Sequence, residues 1–331
     1  MNDTVNHSWH RVVAHRYGPP SSLRIEPFTP PSPQRGEVRV RVEAAGANAG
    51  DWHLLRASPA IVRLFFGLRR PKHPVLGSDV AGIVEEVGDG VTDLQVGDAV
   101  MGSLSTFGFG AFSQVVVKPS EAFVKMPAGI SFEMAAAVPE AGMTALQAVD
   151  QACSNTDVRR LLVYGASGGV GSAATQIAVA KGLDVTAVCS VGKVEHVSSY
   201  GAARTTHYED DLPKDFDAVV IANSRRSLRY YLDRVRRGGR CVLVGSPGYQ
   251  FLRAGLFGLI ARPLWNKSLT SFLVKPDRGS LAGVVRLLET GDLQPHVDRT
   301  FTLNEIGEAL ACLEAGQARG KVVIRPHNEP N

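Results

Sequence analysis

Two periodicities divide the chain. Up to about residue 125, short β-branched runs alternate with Gly- and Pro-containing turns. Residues 37–42 alternate valine with charge, residues 80–87 and 111–117 are further apolar runs, and turns fall at 88–90 and 97–98. Alternation bounded by turn residues predicts strands. Pro27, Pro30, Pro31 and Pro33 predict a loop before the second strand, and residues 51–66 form the one stretch with spacing closer to a helix. From about residue 128 helix and strand patterns alternate. Helices are predicted over 132–152, 170–181 (with Gly182 as cap) and 194–200, and buried strands over 160–164, 185–189, 218–222 and 241–244. Such alternation implies parallel βαβ units with helices on both faces of a sheet. The tail predicts helices over 281–290 and 303–315 and a last strand over 321–325.

The strand at 160–164 runs into Gly165-Ala166-Ser167-Gly168-Gly169-Val170-Gly171, which runs into a helix. Glycines let a backbone turn tightly and approach a pyrophosphate, and a helix N-terminus offers unpaired N–H groups and the positive end of its dipole. In this strand–turn–helix setting the pattern predicts a dinucleotide site, the bland reading being a tight turn. An NAD site needs an acid about twenty residues on, at the end of the second strand. Here that place reads Cys189-Ser190-Val191-Gly192-Lys193, with no acid before Glu195. Ser190 and Lys193 suit a 2′-phosphate, so NADPH is the expected cofactor. An exposed lysine at a helix start is the alternative for Lys193.

Composition changes this picture little. The 331 residues fit two domains, and 44% hydrophobic with 21% charged residues is ordinary for a soluble globular chain. A net charge of +4 falls short of a nucleic-acid binder's footprint, so no nucleic-acid partner is expected. The four cysteines are too scattered for a zinc knuckle or redox pair and fit free thiols in a reducing cytosol. Residues 1–10 lack the apolar stretch of a signal peptide, and no run approaches the roughly 20 apolar residues of a membrane span. A cytoplasmic protein without a membrane partner is therefore expected.

Eight stretches together resemble the medium-chain dehydrogenase/reductase superfamily, in its zinc-free quinone oxidoreductase and enoyl reductase branch. They are residues 46–52 (GANAGDW), 73–84 (HPVLGSDVAGIV), 87–91 (VGDGV), 96–100 (VGDAV), 141–147 (AGMTALQ), 237–240 (RGGR), 297–299 (VDR) and 318–324 (ARGKVVI), with the glycine turn between them. The resemblance implies an α/β protein: a GroES-like β-rich catalytic domain over 1–127 and 267–331, and a Rossmann doubly wound parallel-sheet domain over 128–266. It also implies an interdomain cleft for nicotinamide and substrate, and a homodimer. Zinc-dependent relatives carry Cys where Asn48 stands, His-Glu where Ser78 and Asp79 stand, and a four-Cys lobe after Val100. These are missing here, although Asp51, His53 and Asp79 leave a metal open as an alternative. Without zinc to hold an alkoxide, hydride transfer suits quinones and α,β-unsaturated carbonyls.

By the same resemblance Asn48 is a candidate to bond the substrate carbonyl or the nicotinamide ribose, its alternative being a turn residue. Asp51 is a candidate that also reads as an N-cap, and His53 a proton donor that also reads as a surface residue. Thr144 is a cofactor contact or a helix-interior Thr. Tyr208 is placed near the 2′-phosphate, or is a plain surface Tyr. Asn223 and Gly245 end strands where open α/β sheets bind ligands, and Lys321 is placed on the pyrophosphate, or is an edge-strand lysine. The apolar, acid-free stretch 251–264 reads as a cleft cover or dimer interface with Leu256, Phe257 and Trp265 as contacts, a membrane-surface helix being disfavoured by its shortness. Arg225, Arg226 and the arginines of 234–240 read as a solvated face. A small-molecule quinone or enone reductase is the leading reading. An NADPH-binding regulatory or RNA-binding protein with little turnover, and a metal-dependent alcohol dehydrogenase, are the alternatives.

Overall fold

The computed structural model describes residues 8–154, 157–245 and 248–327. The chain forms two compact units, Met1–Pro139 with Val297–Asn331, and Glu140–His296. In chain order the first contains strands β1 (Trp9–Val13), β2 (Arg24–Phe28) and β3 (Glu37–Ala47), helices α1 (Ala49–Arg56) and α2 (Val62–Phe66), strands β4 (Asp79–Val87), β5 (Ala99–Ser103), β6 (Val115–Pro119) and β7 (Phe123–Lys125), and helix α3 (Phe132–Ala136). Strand β3 shows why the alternation specifies a sheet. Val38, Val40 and Val42 are fully buried, while Arg39 and Arg41 point away and pair with Glu86 at 2.6 Å and Glu85 at 3.3 Å on β4. The helical stretch at 51–66 is two helices, because Ala57 takes a left-handed conformation (φ 50°) that ends α1.

Helix α4 (Pro139–Ala152) leads into the second unit. There follow β8 (Arg160–Tyr164), α5 (Gly169–Ala180), β9 (Asp184–Cys189), α6 (Val194–Ser198), β10 (Arg204–His207), β11 (Phe216–Ile221), α7 (Leu228–Arg234), β12 (Val235–Leu243), α8 (Gly248–Trp265), β13 (Ser268–Ser271) and α9 (Arg278–Glu289). The six strands form one parallel sheet in the order β10-β9-β8-β11-β12-β13. The order reverses between β8 and β11, which opens the ligand-binding crevice of a doubly wound sheet at their C-terminal ends. The chain then returns through β14 (Val297–Thr302), α10 (Ile306–Glu314) and β15 (Lys321–Arg325). β15 pairs with β3, Val322 opposite Ala47, and closes a seven-stranded sheet with β14, β4, β5, β6 and β7.

The joins lie elsewhere than the expected 127/128 and 266/267. Residues 268–271 pair in parallel with β12, Leu269 opposite Cys241, so they extend the second unit's sheet. Helix α9 also stays there, held to α4 where Gln147 Nε2 donates to the Lys275 carbonyl at 2.9 Å and to Ser280 Oγ at 3.1 Å.

Candidate functional site

The glycine turn joins β8 to α5. Gly165 has φ 97°, a conformation that favours glycine, and a Cβ there would meet Asn223 N at 2.7 Å. A Cβ on Gly171 would lie 2.1 Å from the Gly165 carbonyl oxygen, so that position needs hydrogen for the helix to pack on the turn. Gly168 differs: it is the N-cap of α5, and a Cβ there would meet nothing within 4 Å. Open space therefore lies directly before the unpaired N–H groups of Gly169, Val170 and Gly171. Ala166 is fully buried, its N–H donating to the Val188 carbonyl at 2.9 Å, and Ser167 is buried beside it. Asn223 and Gly245 close the neighbouring strand ends. The N–H of Asn223 donates to the Tyr164 carbonyl at 3.1 Å, and that of Ser224 to the Gly245 carbonyl at 2.9 Å. A dinucleotide fits this cradle.

Ser190 and Lys193 sit at the end of β9, where the Lys193 N–H donates to the Ser190 carbonyl at 2.9 Å. Tyr208 is drawn to the same place, its N–H bonded to the Cys189 carbonyl at 3.1 Å. It is buried, its ring 5.0 Å from that of Tyr164, and burial pushes its hydroxyl up to about 12. A plain surface tyrosine is thereby ruled out. Its neighbours come from a separate stretch of chain: the Arg225 guanidinium lies 4.8 Å over the Tyr208 ring, and Arg226 Nη2 donates to the Tyr208 carbonyl at 3.1 Å. Both arginines are exposed, as a solvated face implies, and each also contacts Tyr208.

In the first unit, β3, β4 and β15 bring four polar side chains together. Lys321 Nζ donates to Asn48 Oδ1 at 2.6 Å and to Asp79 Oδ2 at 3.0 Å. Asn48 Nδ2 donates to Ser78 Oγ at 3.1 Å and to Asp79 Oδ2 at 3.0 Å. An ammonium only donates, so it fixes which end of the Asn48 amide is oxygen. Both Nδ2 hydrogens are then engaged, and Asn48 retains only acceptor capacity on Oδ1. Asp51 lies alongside, fully buried, with Oδ2 accepting from the Asn48 N–H at 2.7 Å and Oδ1 from the Gly77 N–H at 3.1 Å. Burial pushes its carboxyl up to about 7, against the two backbone bonds and Lys321 and with a smaller contribution from Asp79.

Lys321 was expected on the pyrophosphate; the structure instead places its ammonium, largely buried, on Asn48 and Asp79. β15 is an interior strand here, flanked by β14 and β3, so an edge-strand lysine is excluded too. The donor set does not suit zinc: Asp79 faces an ammonium, Asn48 and Ser78 are neutral oxygen and nitrogen groups, and among the described residues no three His, Cys, Asp or Glu side chains are grouped to hold a metal. His53 stands apart, stacked on Trp52 at 3.6 Å, with Nδ1–H donating to the Ser58 carbonyl at 2.9 Å. Burial lowers its pKa. Thr144 belongs to the second unit and bonds back to the Glu140 carbonyl at 2.6 Å within α4.

A family model for the alcohol dehydrogenase GroES-like domain matches residues 34–128, and one for zinc-binding dehydrogenases matches residues 193–324. The chain is 30% identical over 309 residues to the chloroplastic quinone-oxidoreductase of Triphysaria versicolor, covering 89% of this chain and 92% of that one. It is 30% identical over 325 residues to the 2-methylene-furan-3-one reductase of Solanum lycopersicum, covering 94% and 77%. The structure of Escherichia coli quinone oxidoreductase complexed with NADPH matches at 26% identity and a TM-score of 0.79, over 96% of this chain and all of that one. With a GroES-like unit followed by a parallel Rossmann sheet, the chain belongs to the medium-chain dehydrogenase/reductase superfamily, in its quinone oxidoreductase-like branch, and is an oxidoreductase of that type.

Proposed function

We propose that this protein is an NADPH-dependent, zinc-independent reductase of quinones or α,β-unsaturated carbonyls. The Asn48–Lys321–Asp79 cluster carries this reading. It sits where the zinc-dependent relatives hold their ligands, and a built-in ammonium occupies its carboxylate. The acid-free end of β9, with Ser190, Lys193, Tyr208 and Arg225 gathered near it, supports NADPH over NADH.

Bound NADPH supplies a hydride, and a conjugated acceptor spreads the incoming charge without a Lewis acid. The N–H groups of Gly169, Val170 and Gly171 would hold the pyrophosphate, with Gly168 leaving it room. Asn48, with both Nδ2 hydrogens engaged, would accept a hydrogen bond from a ligand hydroxyl and cannot donate to a substrate carbonyl. Asp51 has both oxygens tied to backbone N–H groups and positions Asn48. With Nδ1–H of His53 donating to Ser58, Nε2 carries a proton to deliver only in the imidazolium form, which burial disfavours, so His53 is a poor proton donor to product. Titration of the purified protein with NADPH, followed by tryptophan fluorescence, tests the cofactor assignment; saturable binding is expected, and none would overturn it.

A further inference from the structure

Helix α8 has an outward face unlike that of a water-exposed helix. Its inner side is ordinary. Ala254 and Ala261 are fully covered, and Gly258 lies so close to β13 that a Cβ would come within 2.5 Å of the Leu269 carbonyl oxygen. Phe257 and Trp265 pack on the second unit's core. The opposite side carries Leu256, Leu259, Ile260 and Leu264, exposed at 70, 74, 45 and 63%. Their spacing places them on one stripe. A helix apolar all round is normally covered all round, and a contiguous exposed aliphatic patch marks an interaction surface.

Charge identifies the partner's chemistry. Residues 225–267 hold ten of the chain's 36 Lys and Arg but one of its 32 Asp and Glu. That acid, Asp233, is paired with Arg229 at 2.9 Å, and Arg226, Arg234 and Arg236 pair with Glu209, Asp211 and Asp217 from outside the stretch, so the cations that matter for the helix face are Arg237, Arg240, Arg253, Arg262 and Lys267. The cations border the apolar stripe. One groove has Arg229 and Arg253 beside Leu256 and Ile260, a second has Arg237 and Lys267 beside Leu264 and Trp265, and a third has Arg240, Arg262 and Lys267. Trp265 lies under the Arg229 guanidinium at 4.4 Å.

We propose that this face of α8 docks flat on an anionic lipid surface. The aliphatic stripe enters the acyl boundary, and the arginines, Lys267 and Trp265 lie at headgroup level. The helix lies on the bilayer and does not cross it; no helix among the described residues is long and apolar enough to span. The length objection is removed because the helix has 18 residues, beyond the apolar stretch seen in the sequence. A second copy of the chain is the weaker occupant, since a two-fold contact on α8 would bring the same cationic border against itself.

Co-sedimentation of the full chain with vesicles tests this. Phosphatidylcholine vesicles with about 30% phosphatidylglycerol are expected to bind it at least tenfold more tightly than pure phosphatidylcholine, less so as salt rises. Leu256→Ser with Leu259→Ser, and separately Arg253→Glu with Arg262→Glu, are each expected to weaken binding about tenfold with the thermal midpoint unchanged. All four side chains are exposed, so neither pair threatens the fold. Four results would overturn the proposal. They are no binding to anionic vesicles, equal binding to neutral ones, loss with the arginine pair but not the leucine pair (any polyanion), and a fall in oligomeric state by the leucine pair without change in vesicle binding (a second copy).

Discussion

The ammonium of Lys321 lies 3.0 Å from Oδ2 of Asp79, in a pair whose side chains are 7 and 0% exposed. The residues are 242 positions apart in the chain. They meet because β15 pairs with β3 at Val322 and Ala47, and β3 pairs with β4 at Gly46 and Asp79. Lys321→Met leaves the Asp79 carboxylate buried without its cation and is expected to cost ~3–5 kcal/mol in chemical denaturation. Adding Asp79→Asn should recover part of that loss, giving a coupling of about 1 kcal/mol or more. Additive losses would show that the pair does not act as a unit.

Asp51 makes stability depend on pH. Its folded pKa of about 7 lies above the ordinary 3.8, so the folded protein binds a proton more tightly than the unfolded chain does. The favourable contribution is complete below about pH 4 and is lost as pH rises through about pH 7. The drop in thermal midpoint between about pH 5 and about pH 8 should be smaller in Asp51→Asn than in the parent. The variant also loses one backbone acceptor and should be less stable throughout by ~1–3 kcal/mol. An unchanged pH slope would remove Asp51 as its source.

Two glycines of one turn should respond oppositely. Gly168→Ala places a methyl in open space at φ −87°, so stability should change by less than ~0.5 kcal/mol. The methyl occupies room needed by the pyrophosphate, and the Kd for NADPH should rise about tenfold. Gly171→Ala meets the Gly165 carbonyl oxygen and should unfold at clearly lower temperature. Fluorescence titration and thermal melting separate the two effects. Unaltered NADPH affinity in Gly168→Ala would place the phosphates elsewhere.

The proposed preference for NADPH rests on the end of β9. Replacing Ser190 by Asp and Lys193 by Ala supplies an acid and removes a cation. NADPH affinity should fall about 10- to 100-fold, with little loss for NADH. Equal losses for both cofactors would mean that these residues only maintain the local fold.

The second unit was legible because its information is local. The run from residue 160 through Gly165–Gly171 into the following helix needs no distant partner, and buried strands at 185–189, 218–222 and 241–244 read as apolar blocks. No apolar block marks β10 or β13: residues 204–207 and 268–271 are short and partly polar, and gain their conformation from β9 and β12. The polar cluster was legible only as ingredients. Asn48, Asp51 and Asp79 stood out by type, but nothing near Lys321 announces that its strand is interior or that its ammonium faces Asn48. Tyr208 likewise owes its burial to Tyr164 and to Arg225, which the sequence shows only as one of two adjacent basic residues.

The proposed reaction is hydride transfer from NADPH to a conjugated acceptor without zinc. Its most direct test is NADPH oxidation by chelator-dialysed protein across a panel of quinones and enones, with NADH as control and metal content measured on the same sample. Turnover with NADPH, slower turnover with NADH, and rates indifferent to chelation are expected. Turnover that appears only on adding zinc, or no oxidation of NADPH with any acceptor, would contradict it.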